Sequence, residues 1–184
     1  MRLTFQRCMC GLILFFGGIY IPVVSAADLL VEASVEPFVS VRAISNFARI
    51  GPVGAGGVDA ELPFYIESNS NRVSVQLLVS HLYKDENPLL GVYLPVDVST
   101  GVEVRTQTAR PVGGDLSLRF IGTDNLSKRL GVFAAMKSEA LILEVPDKAL
   151  FNEEVGFQIN WLRAQRLMPS GNYRGFVVIT VAVP

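Results

Sequence analysis

Short apolar segments alternate with turn-forming residues along the chain after residue 26. Within many of these segments apolar and polar residues alternate, which is typical of strands with one buried face. Between them lie sequences rich in Gly, Pro, Asn and Ser, such as GPVGAGG at 51–57, SNSN at 68–71 and PSGN at 169–172. The pattern predicts strands over 29–35, 38–44, 62–66, 73–82, 91–98, 102–106, 116–121, 132–136, 140–145, 155–162 and 173–183.

The spacing of these strands, together with the lack of any sustained 3.6-residue apolar period, predicts an all-β fold. Short strands separated by regular turns favour an antiparallel sandwich or barrel. The 184 residues suit one domain. Half of the chain is apolar and 18% is charged, so it can bury a core large enough to offset its conformational entropy.

The first 26 residues have the pattern of a secretory signal peptide. Arg2 and Arg7 precede the apolar run GLILFFGGIYIPVV at 11–24, and small residues follow it. Cleavage after Ala26 or after Ala27 fits. The alternative is an uncleaved membrane anchor, but 14 apolar residues fall short of the about 20 that span a bilayer. We therefore expect residues 1–26 to be removed and the protein to be exported.

Charge and cysteine content exclude several functions for the expected mature chain. The full chain has 16 Lys and Arg against 17 Asp and Glu, and loss of the signal leaves 14 against 17. With no excess of positive charge, nucleic acid is not expected as a partner. Cys8 and Cys10 both lie in the signal. Disulfides, thiolate metal sites and cysteine nucleophiles are therefore not expected.

The sequence offers no catalytic constellation. His81 is the one histidine, so zinc sites and Ser-His-Asp arrangements lack ligands, and we expect it at the surface or half-buried on a strand. Neighbouring acids such as Glu153 and Glu154 point to opposite faces of an extended chain, so we expect solvated charges rather than a carboxylate pair. We predict no catalytic residue, no metal site, no cofactor and no enzymatic activity. An enzyme would need a mechanism that uses carboxylates alone.

The segment that follows the signal alternates strictly and ends at Pro37. Proline cannot donate to a strand ladder, so it ends the register. One face of the extended segment carries Leu29, Val31, Ala33 and Val35. The other face carries Leu30, Glu32, Ser34 and Glu36.

The last predicted strand, GNYRGFVVITVAVP, has one wholly apolar face. That face carries Tyr173, Gly175, Val177, Ile179, Val181 and Val183. Its other face is largely apolar too, so we expect this strand in the middle of a sheet.

The two ends together resemble the major subunits of alpha-type (class 5) chaperone-usher fimbriae, the colonisation-factor and cable-pilus group. LLVEASVEP resembles the N-terminal donor segment of that family in its alternation and in its ending at 33–37. MPSGNYRGFVVITV resembles the closing strand of the family in its turn glycine and its aromatic-x-Gly-hydrophobic run, here Gly171, Tyr173, Gly175 and Phe176. The resemblance covers about 25 residues, and the absence of mature cysteines fits this class.

The resemblance implies an immunoglobulin-like antiparallel β-sandwich that lacks its last strand and is completed by donor-strand exchange. Residues 27–37 would be the donor extension and residues 38–184 the pilin domain. The donor residues would be Leu29, Val31, Ala33, Val35 and Pro37. The acceptor strand would carry Tyr173, Gly175, Val177, Ile179 and Val181.

The resemblance also implies the partners and the location of the protein. Its partners would be identical fimbrial subunits, a periplasmic chaperone, an outer-membrane usher and a tip adhesin. It would pass through the periplasm to the cell surface as a structural shaft subunit that supports adhesion to host surfaces. Tip subunits of the family are usually two-domain chains, so a length of 184 residues favours the shaft.

The alternative function is that of a monomeric secreted or periplasmic binding module for carbohydrate with the same sandwich. Such a module usually exposes aromatic side chains as a platform for sugar. The chain has a single tryptophan, Trp161, inside the apolar segment VGFQINWL. We predict that Trp161 lies in the core.

Overall fold

The computed structural model describes residues 34–45, 53, 57–121, 131–163 and 168–184. The predicted signal, residues 1–26, and the first part of the donor extension lie outside the described residues. In the described part, regular structure is antiparallel β-strand with one short 3-10 helix, Pro88–Leu90. The prediction of an all-β fold is therefore confirmed.

The strands are numbered in chain order over the described residues. They are β1 (Val39–Ala43), β2 (Gly57–Ser68), β3 (Arg72–Ser80), β4 (Leu82–Lys84), β5 (Tyr93–Leu94), β6 (Glu103–Thr106), β7 (Arg110–Gly113), β8 (Leu118–Ile121), β9 (Ala135–Ser138), β10 (Leu141–Glu144), β11 (Phe151–Leu162), β12 (Tyr173–Arg174) and β13 (Val177–Ala182).

The first sheet has the strand order β1-β2-β11-β6. Its centre is the pair β2 and β11, whose register runs over twelve residues from Gly57↔Leu162 to Ser68↔Phe151. Along β11, every second residue from Phe151 to Trp161 is buried, and the residues between them, apart from the buried Gly156, are exposed or half-buried, as expected for a strand with one face on a core. The buried face includes Trp161, whose indole Nε1 donates to the Ser80 carbonyl at 3.0 Å, so the prediction that Trp161 lies in the core is confirmed.

The second sheet has the order β7-β10-β3-β9-β8, and β13 pairs with one edge of β3. The other edge of β3 is shared by β10 and β9. Between these two strands the Leu77 amide donates to Ser138 Oγ at 2.8 Å, which fills the gap in the ladder. Side chains from both sheets, including Ile66 and Phe157 from the first and Val75 from the second, belong to one buried apolar cluster.

A third, small sheet, β12-β4-β5, extends the paired strands β3 and β13 beyond a break. His81 forms the break between β3 and β4, and Gly175 and Phe176 form the break between β12 and β13. The expected continuous strand over 173–183 is therefore wrong, because it is split into β12 and β13. The expected strand over 91–98 is reduced to β5 and an isolated bridge between Val96 and Trp161.

Two predictions about polar residues are also wrong. His81 is buried and lies between β3 and β4. Its Nδ1 accepts a hydrogen bond from the Val96 amide at 3.1 Å, and its ring stacks on the Tyr93 ring with 5.0 Å between the ring centroids. Glu153 is buried as well, and its carboxylate accepts from the Ala109 amide at 3.0 Å and from the Thr108 amide and hydroxyl. These hydrogen bonds replace the water that the Glu153 carboxylate and His81 Nδ1 lose on burial.

Candidate functional site

The strand β13 has one hydrogen-bonded neighbour among the described residues, β3. The Ser80 amide donates to the Phe176 carbonyl at 3.0 Å, and the Phe176 amide donates to Ser80 Oγ at 2.8 Å, so Phe176 occupies a hydrogen-bonded position opposite Ser80. Because such positions occur at every second residue of an antiparallel ladder, the N–H and C=O groups of Val177, Ile179 and Val181 point away from β3. No described residue pairs with them. The expectation that this strand lies in the middle of a sheet is therefore wrong for the described part of the chain.

The side chains of the same three residues face the core but are only half-buried. Their neighbours on the same face of β3, such as Val75 and Val79, are completely buried. The core is thus fully covered at β3 and incompletely covered one strand further out. An additional strand beside β13 would cover this apolar surface and pair the outward backbone groups together.

The strand β1 forms the edge of the first sheet in a similar way. Hydrogen bonds from Asn69 N to Phe38 O, 3.1 Å, and from Ile44 N to Pro63 O, 3.2 Å, assign the even-numbered residues of this strand to the ladder with β2. The backbone groups of Val39 and Val41 therefore point outward. Val41 is exposed and Val39 packs partly on the core.

These two edges lie side by side although they belong to different sheets. Cα atoms of β1 and β13 approach within 8 Å, and no ladder joins the two strands. We call this region the open edge. It consists of the outward backbone groups of Val39, Val41, Val177, Ile179 and Val181, together with the half-buried side chains of all of these except the exposed Val41. An edge of this kind can bind an extended peptide as an added strand, with backbone bonds giving affinity and apolar contacts giving specificity.

The chain leads into β1 through a junction held by Asn69. The Asn69 side chain accepts from the Phe38 amide at 2.7 Å and donates to the Glu36 carbonyl at 2.7 Å. Residues 34–38 form no strand, and Val35 is 83% exposed. The exposed Pro37 lies just before β1. The other predicted donor residues, Leu29, Val31 and Ala33, lie outside the described residues.

The predicted acceptor residues do not share one strand. Tyr173 belongs to the third sheet, where its hydroxyl donates to the Pro169 carbonyl at 2.8 Å and partial burial raises its pKa, with Asp85 adding to the shift. Gly175 lies in the break between β12 and β13. A Cβ there would come within 2.5 Å of Ser80 Oγ and 2.6 Å of the His81 carbonyl oxygen, so the close approach of the two chain segments requires glycine.

Sequence reasoning did not identify Asn69 or the outward edge of β1 as parts of this region. The SNSN sequence at 68–71 predicts a turn, but the partners of the Asn69 side chain, Glu36 and Phe38, are distant in sequence and carry no local signal. The edge position of β1 has no signal in the sequence, because an edge strand and a half-buried inner strand can share one alternating pattern.

The described residues hold no group of three or more potential metal ligands, and no helix among them is long and apolar enough to cross a bilayer. A shallow cavity of about 470 Å³ lies at the turn between β6 and β7, at the opposite side of the second sheet from β13. Arg110 and Lys148 are among the residues that line it. It is separate from the open edge.

Comparison with known proteins gives no family for this chain: no protein-family model, no curated protein and no solved structure matches it significantly.

Proposed function

We propose that this protein is a structural shaft subunit of a bacterial surface fimbria, which polymerises when the N-terminal segment of one copy binds the open edge of the next. The single observation that carries the proposal is the open edge. There two sheet edges lie side by side, with apolar side chains half-covered and with outward backbone groups that no described residue pairs.

The architecture that fits this function is an immunoglobulin-like sandwich without its last strand. The two larger sheets share one core, and β13 is the outermost described strand on its side of the second sheet. A strand added beside β13 would complete that sheet. It would also lie between β13 and β1.

The predicted donor segment has the pattern that such an added strand needs. Its apolar residues Leu29, Val31, Ala33 and Val35 fall on one face. Burial of a Leu or Val side chain contributes about 1.5 to 3 kcal/mol. Three such residues and one alanine give on the order of 5 to 10 kcal/mol before ordering costs, and each ladder hydrogen bond adds about 0.5 to 1.5 kcal/mol.

Binding of a strand at this position requires β1 to move. Two strands with a third strand between them lie about 9.5 Å apart. The Cα atoms of β1 and β13, however, lie within 8 Å of each other at their closest approach. Among the described strands, β1 has one hydrogen-bonded neighbour, and four of its five residues are exposed. Few contacts therefore oppose a displacement of β1.

The test is complementation in trans. Residues 38–184 are produced without the donor segment, and a peptide of residues 27–37 is added at one hundred times its Kd. Binding at that excess stabilises the folded state by about 2.7 kcal/mol, which corresponds to a rise of about 5–10 °C in Tm for a domain of this size. The control is the same peptide with Val31→Asp, which places a charge against the core and should give no rise. A domain that is already stable and unaffected by the wild-type peptide would support the monomeric binding module instead.

A further inference from the structure

Next to β13, the outer face of the second sheet carries an apolar surface. We call it the outer patch and define it by Leu78, Phe133, Phe176 and Val178. Phe176 and Val178 point away from the core and are 38% and 48% exposed. Val178 lies opposite the half-buried Leu78 in the ladder with β3. The rings of Phe133 and Phe176 pack edge to face, with 5.8 Å between their centroids.

Solvent-facing surfaces of antiparallel sheets are usually polar, and the outer face of the first sheet follows this rule. There Arg105 bonds Glu61 at 2.8 Å and Gln158 at 2.7 Å. The outer patch departs from the rule beside the strand that forms half of the open edge. Exposed aromatic residues next to a binding edge indicate a surface that a partner covers.

We infer that the outer patch is a contact between copies, and that it receives the exposed Phe38 of the copy whose donor segment occupies the open edge. This inference rests on the proposed function. Its first support is the direction in which the donor strand would run beside β13. Every strand pair described in this protein is antiparallel, and antiparallel ladders are slightly more stable per residue. A donor antiparallel to β13 brings its Val35 end to the beginning of β13, beside Phe176.

The second support is the length of chain between the donor and the next domain. Two residues, Glu36 and Pro37, separate Val35 from Phe38, so the Cα atoms of Val35 and Phe38 lie at most about 10 Å apart. Phe38 is 53% exposed, and its amide and carbonyl are both bonded to Asn69. The incoming copy therefore arrives with its aromatic side chain at a fixed point, within reach of the outer patch.

The test separates the contact of the domains from the binding of the donor segment. The acceptor is the mature chain with Val31→Asp, which keeps its open edge but cannot donate. Its affinity is measured for the peptide of residues 27–37 and for the wild-type mature chain, before and after Phe176→Ser in the acceptor. The control is Phe120→Ser in the acceptor, because Phe120 is also an exposed phenylalanine, more exposed than Phe176, but lies on β8, at the far edge of the same sheet.

We expect Phe176→Ser to leave the affinity for the peptide unchanged and to weaken binding of the whole chain about tenfold, as loss of an aromatic contact would. Phe38→Ser in the donor chain should give the same loss, and the two changes together should add little more. Phe120→Ser should change neither affinity.

Three results would overturn the inference. The first is equal binding of the whole chain with and without Phe176. The second is an equal loss for peptide and whole chain, which would assign Phe176 to the open edge alone. The third is a wild-type peptide that does not bind the acceptor, and in that case the proposed function fails together with the inference.

Discussion

Two hydrogen bonds join Asn69 and Phe38: the backbone N–H of Phe38 donates to Asn69 Oδ1 at 2.7 Å, and the backbone N–H of Asn69 donates to the Phe38 carbonyl at 3.1 Å. A third hydrogen bond, from Asn69 Nδ2 to the Glu36 carbonyl, holds the residue on the other side of Pro37 as well. Phe38, which leads into β1, and Glu36 are therefore both tied to the turn between β2 and β3. In the proposed fibre this turn would set the angle at which one subunit leaves the next.

Replacement of Asn69 by alanine should loosen that junction. The change removes the two side-chain bonds, each of which contributes about 0.5 to 1.5 kcal/mol, and leaves the backbone bond in place. We expect the Phe38 amide to exchange its hydrogen about tenfold faster or more, while amides in the middle of β2 and β11 keep their rates. Asn160→Ala, which removes one exposed bond to Thr100, is the matched control and should not affect Phe38. Unchanged exchange at Phe38 in the Asn69 variant would show that the side chain does not hold the junction.

Replacement of Val31 by aspartate should block assembly and spare export. An aspartate on the apolar face of the donor would be buried against the neighbouring subunit without a partner, which is unfavourable by several kcal/mol. The variant chain should still reach the periplasm, because the proposed donor is not part of its own domain. Leu30→Asp, one position along and on the other face, should assemble normally. The measurement is the yield of surface fibres beside the amount of periplasmic subunit. A normal fibre yield from the Val31 variant would remove the donor assignment.

Replacement of Gly175 by alanine should shift β13 and lower stability. The added Cβ would lie 2.5 Å from Ser80 Oγ and 2.6 Å from the His81 carbonyl oxygen, and at least one of these contacts is with backbone. We expect a decrease of about 1 to 3 kcal/mol in the free energy of unfolding, measured by denaturant titration. Gly113→Ala is the control, because its Cβ would meet nothing closer than Ile142 Cδ1 at 3.7 Å. If both variants unfold at the same denaturant concentration, the close approach at Gly175 does not constrain the fold.

Replacement of Glu153 by glutamine should destabilise the turn between β6 and β7. The buried carboxylate accepts from the Thr108 amide and hydroxyl and from the Ala109 amide, and an amide group cannot accept with both of its heavy atoms. We expect a loss of about 1 to 3 kcal/mol in the free energy of unfolding. The exposed neighbour Glu154 provides the matched control, and Glu154→Gln should stay within about 0.5 kcal/mol of the wild type. Equal stability of the two variants would contradict the role given to Glu153.

The sequence predicted the strand content well because strand periodicity is a local property. The alternation along 155–162 and 73–82 corresponds to the buried faces of β11 and β3, and Trp161 lies in the core as expected. It failed where neighbours in space decide. His81 and Glu153 are polar residues whose burial depends on Val96, Thr108 and Ala109, which no local pattern connects to them.

The sequence by itself determined that this is an all-β protein, and it singled out the alternating N-terminal segment and the apolar residues of the closing strand. Only the tertiary structure decided that, within the described part of the chain, Val177, Ile179 and Val181 lie at an edge rather than inside a sheet, and that β1 lies beside them. The physical reason is that alternation records which face of a strand is apolar, whereas pairing of its two edges depends on which strands fold back against it.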